Sequence, residues 1–294
     1  MVAMKYSITH TTQYQYHEKV NLCHNLVILA PRNSHTQTCE SFKINISPIP
    51  EILDEYEDFF GNKVCYFELE QEHESLTVTA NSVVEKWKNP NWQEVDITES
   101  WEMVRELLAS SMGNYFEEKK FCAPTTITSN ATNIQEYASL SFTKGRPLFH
   151  AANDLMQRIY KDFKYTPGFS TISTPLSAVL KERKGVCQDF AHLGIACVRA
   201  MGLAARYVSG YIETIPPKGK EKLVGTDASH AWFSVFIPNM GWVDFDPTNN
   251  QLAGDQHITI GWGRDYFDII PLRGIIISGQ PHELKVSVDV KRVD

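Results

Sequence analysis

No two cysteines of this chain stand in a Cys-x-x-Cys spacing, which argues against a zinc ribbon or a thioredoxin-type dithiol. No apolar run approaches the roughly 20 residues of a membrane span. The start, MVAMKYSITHTTQYQY, has no apolar signal-peptide core. A cytoplasmic protein without a membrane partner is therefore expected. Positive charge is not in excess: 28 Lys and Arg stand against 35 Asp and Glu, a net charge of −7. That balance argues against nucleic acid as a partner. Internal repeats and low-complexity tracts are absent, and GWGRDY at Gly261 lacks the third glycine of a dinucleotide loop. Without an export signal the six cysteines (Cys23, Cys39, Cys65, Cys122, Cys187 and Cys197) read as reduced thiols rather than a disulfide framework.

What is present is globular composition, 43% apolar and 21% charged over 294 residues, enough for one large or two ordinary domains. Residues 1–90 read as β. KYSITHTTQYQY, SFKINIS, NKVCYFELE and SLTVTANSVVEKW alternate and are separated by turn signals, which suggests an antiparallel sandwich. Residues 91–145 form a helical connecting region, in which Trp101, Val104 and Leu108 are spaced for one helix face. Residues 146–294 then read as one core unit of helices followed by strands, with the C-terminal strands included. Pro175 opens one short helix after Thr174, and Gly202 closes the next. The tail alternates Leu284, Val286, Val288 and Val290 as a strand. The fold class expected is α+β.

The stretch KGVCQDFAHLGIACVRAMG holds two cysteines in one helix pattern. A free cysteine is usually a small buried apolar residue, and Cys197 reads that way. Cys187 differs because it falls at the helix N-terminus, where unpaired N–H groups and the helix dipole favour a thiolate. The same N–H groups can hold an oxyanion, Gly185 leaves room for a substrate backbone, and Asp189 reads as a helix cap. A thiol nucleophile needs a base and an orienter. His230 opens the strand HAWFSVFI and Asp246 closes WVDFD, so a hairpin brings them together. They share a face only if paired residue numbers sum to an even value. A four-residue PNMG loop gives an odd sum, so a three- or five-residue loop or a bulge is predicted. Asp244 is a rival orienter on the same face, about 6.7 Å away. The remaining histidines read as background. No metal or other cofactor is expected, although Cys, His and Asp together could also bind a metal.

GVCQDFAHLGIACVRAMGLAARYVSGY, SHAWFSVFIPNMGWVDFDPT and GRDYFDIIPLRGIIISGQPHELKVSVDV resemble the bacterial transglutaminase-like family, whose core is related to papain-type cysteine proteases. ITHTTQYQY, LAPR (29–32) and DFFGN (58–62) resemble the β-rich domain that precedes that core. The resemblance implies Cys187 as nucleophile, His230 as general base and Asp246, rather than Asp244, as its orienter. It implies an N-terminal antiparallel sandwich followed by a core in which the nucleophile helix packs on an antiparallel sheet. Tyr165, Gln188 and Trp232 are candidate oxyanion or substrate contacts, and Trp232 and Trp242 are candidates to shield the charged pair from water. The function expected is a thiol enzyme cleaving a peptide or amide bond through a Cys187 thioester, with a peptide or protein amide substrate. Acyl transfer to an amine and a non-catalytic binding module on the same fold are the alternatives.

Overall fold

The computed structural model describes residues 3–87, 98–110, 115–129, 132–213, 229–276 and 282–293. The Pro/Gly/Lys-rich loop at 215–225 and part of the 91–145 region lie outside the described residues. Alternation builds the first strands: β1 (Met4–Val20), β2 (Cys23–Val27), β3 (Gln37–Ser47), β4 (Ile52–Glu57), β5 (Lys63–Leu69) and β6 (His73–Lys86). In β6, Leu76, Val78, Ala80, Ser82, Val84 and Lys86 are buried at every second position, the period of a half-buried strand. Helices follow as α1 (Trp101–Ala109), α2 (Phe116–Lys119), α3 (Thr132–Ser139) and α4 (Leu148–Asp162). In α1, Trp101, Val104 and Leu108 are the buried face, and Ser100 caps the start by accepting from the Met103 N–H. The rest of the chain forms β7 (Lys164–Tyr165), α5 (Leu176–Glu182), β8 (Lys184–Gly185), α6 (Cys187–Ala200), β9 (Ala205–Ile212), β10 (Ser229–Ile237), β11 (Gly241–Asp246), β12 (Gln251–Leu252), β13 (His257–Gly263), β14 (Leu272–Ile276) and β15 (His282–Val293).

The fold is α+β, with three antiparallel sheets among the described residues. The core sheet has the order β12-β11-β10-β9-β13, and two four-stranded sheets run β15-β1-β6-β3 and β14-β2-β5-β4. One expectation is corrected here. The closing strands do not extend the core of residues 146–294: β14 pairs with β2, and β15 pairs with β1 from Lys5↔Val293 to Tyr16↔His282. Alternation fixes which residues face inward but not which sheet edge a strand finds.

Helix α6 lies against β10 so closely that a Cβ on Gly194 would stand 2.6 Å from Phe233 Cδ1. Only glycine allows that approach. Gly202 (φ 79°) follows the helix in the left-handed conformation. Helix α5 starts one residue later than expected, since Pro175 is its N-cap, and Arg183 (φ 54°) is its C-cap. Arg199 ties the connecting region to the core. Its buried guanidinium donates to Phe121 O, Thr128 Oγ1, Ala205 O and Arg264 O.

The N-terminal motifs meet the core at a polar joint. Arg32 Nη1 donates to Phe60 O (2.9 Å) and Asn62 Oδ1 (2.8 Å). Asp58 Oδ1 accepts from the N–H groups of Phe60 and Asn62. Asn62 then crosses to the core: Nδ2 donates to Trp262 O, and Oδ1 accepts from Trp262 N–H. Gln37 makes a second crossing, donating to Thr259 O and accepting from Thr259 N–H. Asn62 and Gln37 are fully buried, and a buried amide is stable only when paired in this way. A Cβ on Gly261 would meet Asn62 Oδ1 at 2.4 Å, so the glycine of GWGRDY serves docking.

Candidate active site

Cys187 is the first residue of α6, with Val186 as N-cap. Its N–H is among the groups a helix start leaves without an intrahelical acceptor. Asp189 caps this turn: its buried carboxylate accepts from Val186 N–H (2.7 Å) and from Ser170 Oγ. Asp189 therefore points back at the helix entry, and burial raises its pKa. Gly185 has a different task from the one its position suggested. A Cβ there would lie 2.9 Å from Asp189 Cβ and 3.0 Å from Phe190 Cε1, so the glycine makes space for the cap and for core packing. Gly185→Ala is expected to push Asp189 off the Val186 N–H, costing about 1–3 kcal/mol in urea unfolding and slowing alkylation of Cys187. Unchanged stability and alkylation rate would refute this role.

The base and acid come from the hairpin β10–β11. Phe233 pairs with Phe245 and Ile237 with Gly241, an even-sum register. The loop is three residues, Pro238 to Met240, followed by Gly241 at φ 79°. Asn239 inside the loop is also left-handed (φ 66°), and the register runs without a bulge from Phe233↔Phe245 to Ile237↔Gly241. His230 and Asp246 consequently share a sheet face. His230 Nε2 donates to Asp246 Oδ2 at 2.8 Å, and Cys187 is close enough to the same imidazole to help raise its pKa. With Nε2 taken by Asp246, Nδ1 is the nitrogen left for sulfur. Burial disfavours a charged His230, but Asp246, through its hydrogen bond and charge, and Cys187 outweigh it and raise its pKa.

Asp246 is fully buried and surrounded by donors. Oδ2 accepts from His230 Nε2, from Asn249 Nδ2 (2.7 Å) and from His257 Nε2 (3.0 Å). Oδ1 accepts from the N–H groups of Thr248 (2.9 Å) and Asn249 (3.3 Å). Burial alone would raise its pKa, yet the hydrogen bonds from the two histidines and the charge of His230 reverse that and hold the carboxyl well below the usual range. His257 is the residue that sequence reasoning missed, grouped there with the background histidines. Its Nδ1 accepts from Gly254 N–H (3.2 Å), which fixes the proton on Nε2 for Asp246. Burial lowers its pKa, in keeping with a neutral donor. The only sequence signal is its position on a strand that returns beside β9, visible once the sheet order is known.

The other candidates separate. Tyr165 lies opposite Gly185 in the short parallel pair β7–β8 and is half-exposed. Burial, then the nearby Cys187, raise its pKa. Gln188 is half-buried in the first turn beside Cys187. Trp232 is fully buried, its ring 6.0 Å from His230 and 5.2 Å from His257. It therefore packs behind the imidazoles rather than facing a substrate. Trp242 is not beside the triad; its ring stacks on Arg206. Asp244 shares the sheet face of Asp246 but is farther along β11, where its charge acts on Arg206 and Lys86. Cys197 is fully buried, and burial pushes its thiol up to about 12. His192 is buried in the core, stacked on Tyr207.

The ligating atoms of His230, Asp246 and His257 lie within 4.8 Å of one another, close enough to be considered for a metal. The two imidazole Nε2 atoms both lie against Asp246 Oδ2, at 2.8 and 3.0 Å, and are hydrogen-bonded to it. The tautomer of His257 directs a proton, not a lone pair, at Asp246. The arrangement is suited to holding a thiol, an imidazole and a carboxylate in line.

Residues 6–85 match the bacterial transglutaminase-like N-terminal region, and residues 125–247 match the transglutaminase-like superfamily. An uncharacterized protein of Mycobacterium tuberculosis is 42% identical, over 97% of this chain and 92% of its own length. One of Mycobacterium leprae is 30% identical, over 97% of this chain and 98% of its own. A protein-glutamine gamma-glutamyltransferase of Pseudomonas aeruginosa is 29% identical over 102 residues, 32% of this chain and 15% of its own. Among solved structures, a Cytophaga hutchinsonii protein provisionally named a cysteine protease superposes with a TM-score of 0.78 at 20% identity, covering 100% of this chain and 92% of its own. By these matches, and with the fold that surrounds Cys187, His230 and Asp246, the chain belongs to the bacterial transglutaminase-like family.

Proposed function

We propose that this protein is a cysteine-dependent amide or peptide hydrolase. The observation that carries the reading is the His230–Asp246 pair, Nε2 to Oδ2 at 2.8 Å, with Cys187 at the start of α6 beside it and acting on the same imidazole. In the proposed cycle the Cys187 thiolate attacks an amide carbonyl carbon, and the carbonyl oxygen becomes an oxyanion. The Cys187 N–H at the helix start donates to that oxyanion, with Tyr165 or Gln188 as the second donor. Collapse expels the amine, which takes its proton from the His230 imidazolium. The thioester left on Cys187 is attacked by water, whose proton passes to His230, and the acid product leaves the free thiol. Trp232, behind the imidazoles, serves the site by packing.

Acyl transfer differs only in the second step, where an amine replaces water. The partial similarity to a protein-glutamine gamma-glutamyltransferase keeps this second reading in view. The deciding experiment is mass spectrometry of protein incubated with a library of peptides and amides and quenched in acid. An acyl adduct mapped to Cys187 is expected, and adding an amine tells hydrolysis from transfer by the product formed. No adduct and no turnover across the library, with Cys187 unreactive to iodoacetamide, would favour a binding module. We further propose a cytoplasmic site of action.

A further inference from the structure

The core sheet has a second cluster of charged groups on the face that carries the triad acid. Register places Arg206 and Asp244 on either side of Ser234, with Trp242 on β11 beside Asp244 and Trp262 on β13, the neighbour of β9 that carries Arg206. A cavity of about 750 Å³ opens here between this face and the N-terminal domain, lined by Arg32, Lys86, Arg206, Asp244, Trp242 and Trp262 among others. Cys187, His230 and Asp246 do not line it; the nearest member of the active site in its wall is His257.

Three observations bear on what the cavity holds. First, its charge is uneven. Lys120, also in the wall, is bound to Glu117 at 2.6 Å, which leaves Arg32, Lys86 and Arg206 facing the single carboxylate of Asp244. No ion pair joins Asp244 to any of them among the described residues. Second, the cations are buried at a cost. Arg206 is 7% exposed and Lys86 6% exposed, and Lys86 occupies an inward position of β6 where an apolar side chain is expected. Burial lowers both, to about 9 for Arg206 and about 8 for Lys86, with Asp244 opposing the shift. Third, Arg206 Nε is a buried donor without a hydrogen-bond partner, and Asp244 Oδ1 is a buried acceptor without one. A buried unpaired donor costs about 1–3 kcal/mol and calls for a specific reason.

The rings explain how the guanidinium is held. Arg206 Cζ lies 3.7 Å from the Trp262 ring centroid and 4.3 Å from that of Trp242. Arg32 Cζ also lies 3.7 Å from Trp262. Stacking of this kind fixes the plane of a guanidinium while leaving its edge free to donate, the geometry that binds an oxyanion with two parallel hydrogen bonds. The joint described above holds Arg32 through Nη1 alone. We propose that this cavity is a binding site for a small molecule with a dianionic oxyanion head, a dicarboxylate or a phosphate, held by Arg206, Lys86 and Arg32 against the tryptophan walls. The cavity is within the range of about 300–1,000 Å³ usual for small-ligand sites, so the head group need not be the whole ligand.

The test is isothermal titration of the full-length protein with inorganic phosphate and, separately, with glutarate, at constant ionic strength set with chloride. Saturable one-site binding with Kd of about 1 mM or tighter is expected for at least one probe. Phosphate alone identifies a phosphoryl head, glutarate alone a dicarboxylate, and competition between the two a site that reads charge. Arg206→Met and Lys86→Met are each expected to weaken binding at least tenfold, whereas Cys187→Ala leaves it unchanged. Lys86→Met carries the test alone if circular dichroism shows that Arg206→Met does not fold. Absence of saturable binding to both probes, or binding that is equally strong in the folded variants, overturns the proposal. Because Cys187→Ala retains the site, failure here is separate from failure of the hydrolase reading.

Discussion

Cys187→Ala is expected to abolish the acyl adduct and to lower amide turnover by at least about 10⁴-fold, since a covalent mechanism has no substitute for its nucleophile. Its effect on stability is expected to stay within about 1 kcal/mol, because the position is half-buried and the change removes one sulfur. Alkylation sharpens the expectation. All six cysteines are free, and burial raises the pKa of five of them: Cys23, Cys39, Cys65, Cys122 and Cys197. Cys65 and Cys122 reach about 11 and Cys197 about 12, so almost none of these is thiolate near neutral pH. Cys187 instead sits at a helix start beside an imidazole, the setting that makes a thiol reactive. Limited iodoacetamide followed by peptide mapping is expected to modify Cys187 first, with loss of activity proportional to its modification. Uniform labelling of several cysteines, or activity retained after full modification of Cys187, would sink the nucleophile assignment.

Much of this site was legible because local rules and parity constrain it. A helix N-terminus is marked in sequence, and so is the strand pair that follows. Parity then demanded an even register, and the three-residue loop from Pro238 to Met240 delivers it. Other features depend on contacts across the chain. LAPR and DFFGN were recognisable as motifs, yet their purpose, a joint through Arg32, Asn62 and Trp262, is set by residues 200 positions apart. His257 could not be told from a core histidine, since only the order β10-β9-β13 brings it to Asp246. The closing strands misled for the same reason: alternation shows a face, not a partner. Trp242 shows the limit in another way. It shares the sheet face of Asp246, but four residues of strand carry it away from the triad, beside Arg206.

Asp246→Asn tests the arrangement most severely, because five donors converge on this carboxylate. An amide offers one acceptor oxygen and one NH2 group. If its oxygen takes the Oδ2 place, the NH2 meets the N–H groups of Thr248 and Asn249. If it turns over, the NH2 meets His230, Asn249 and His257. His257 cannot relieve the conflict by changing tautomer, because its Nδ1 already accepts from Gly254. A loss of about 2–4 kcal/mol in urea unfolding is expected from unpaired buried donors. Two linkages set its pH dependence. The folded pKa of Asp246 is depressed, so its contribution is present above the ordinary carboxylate value and fades as pH falls through the folded one. The folded pKa of His230 is raised, so its contribution is complete below the ordinary imidazole value and is lost as pH rises through the folded one. The cost of Asp246→Asn is therefore expected to be largest near neutrality and to shrink toward strong acid and strong alkali. Turnover should fall by roughly 10²–10⁴-fold, the scale on which an orienting carboxylate acts. The alkaline limb of kcat/KM, which reports loss of the His230 proton, lies above about pH 7 in the native protein and moves toward about 6.5 in the variant. A rate loss with no movement of that limb would mean that Asp246 only shapes the fold, whereas the shift requires that it holds the charge of His230.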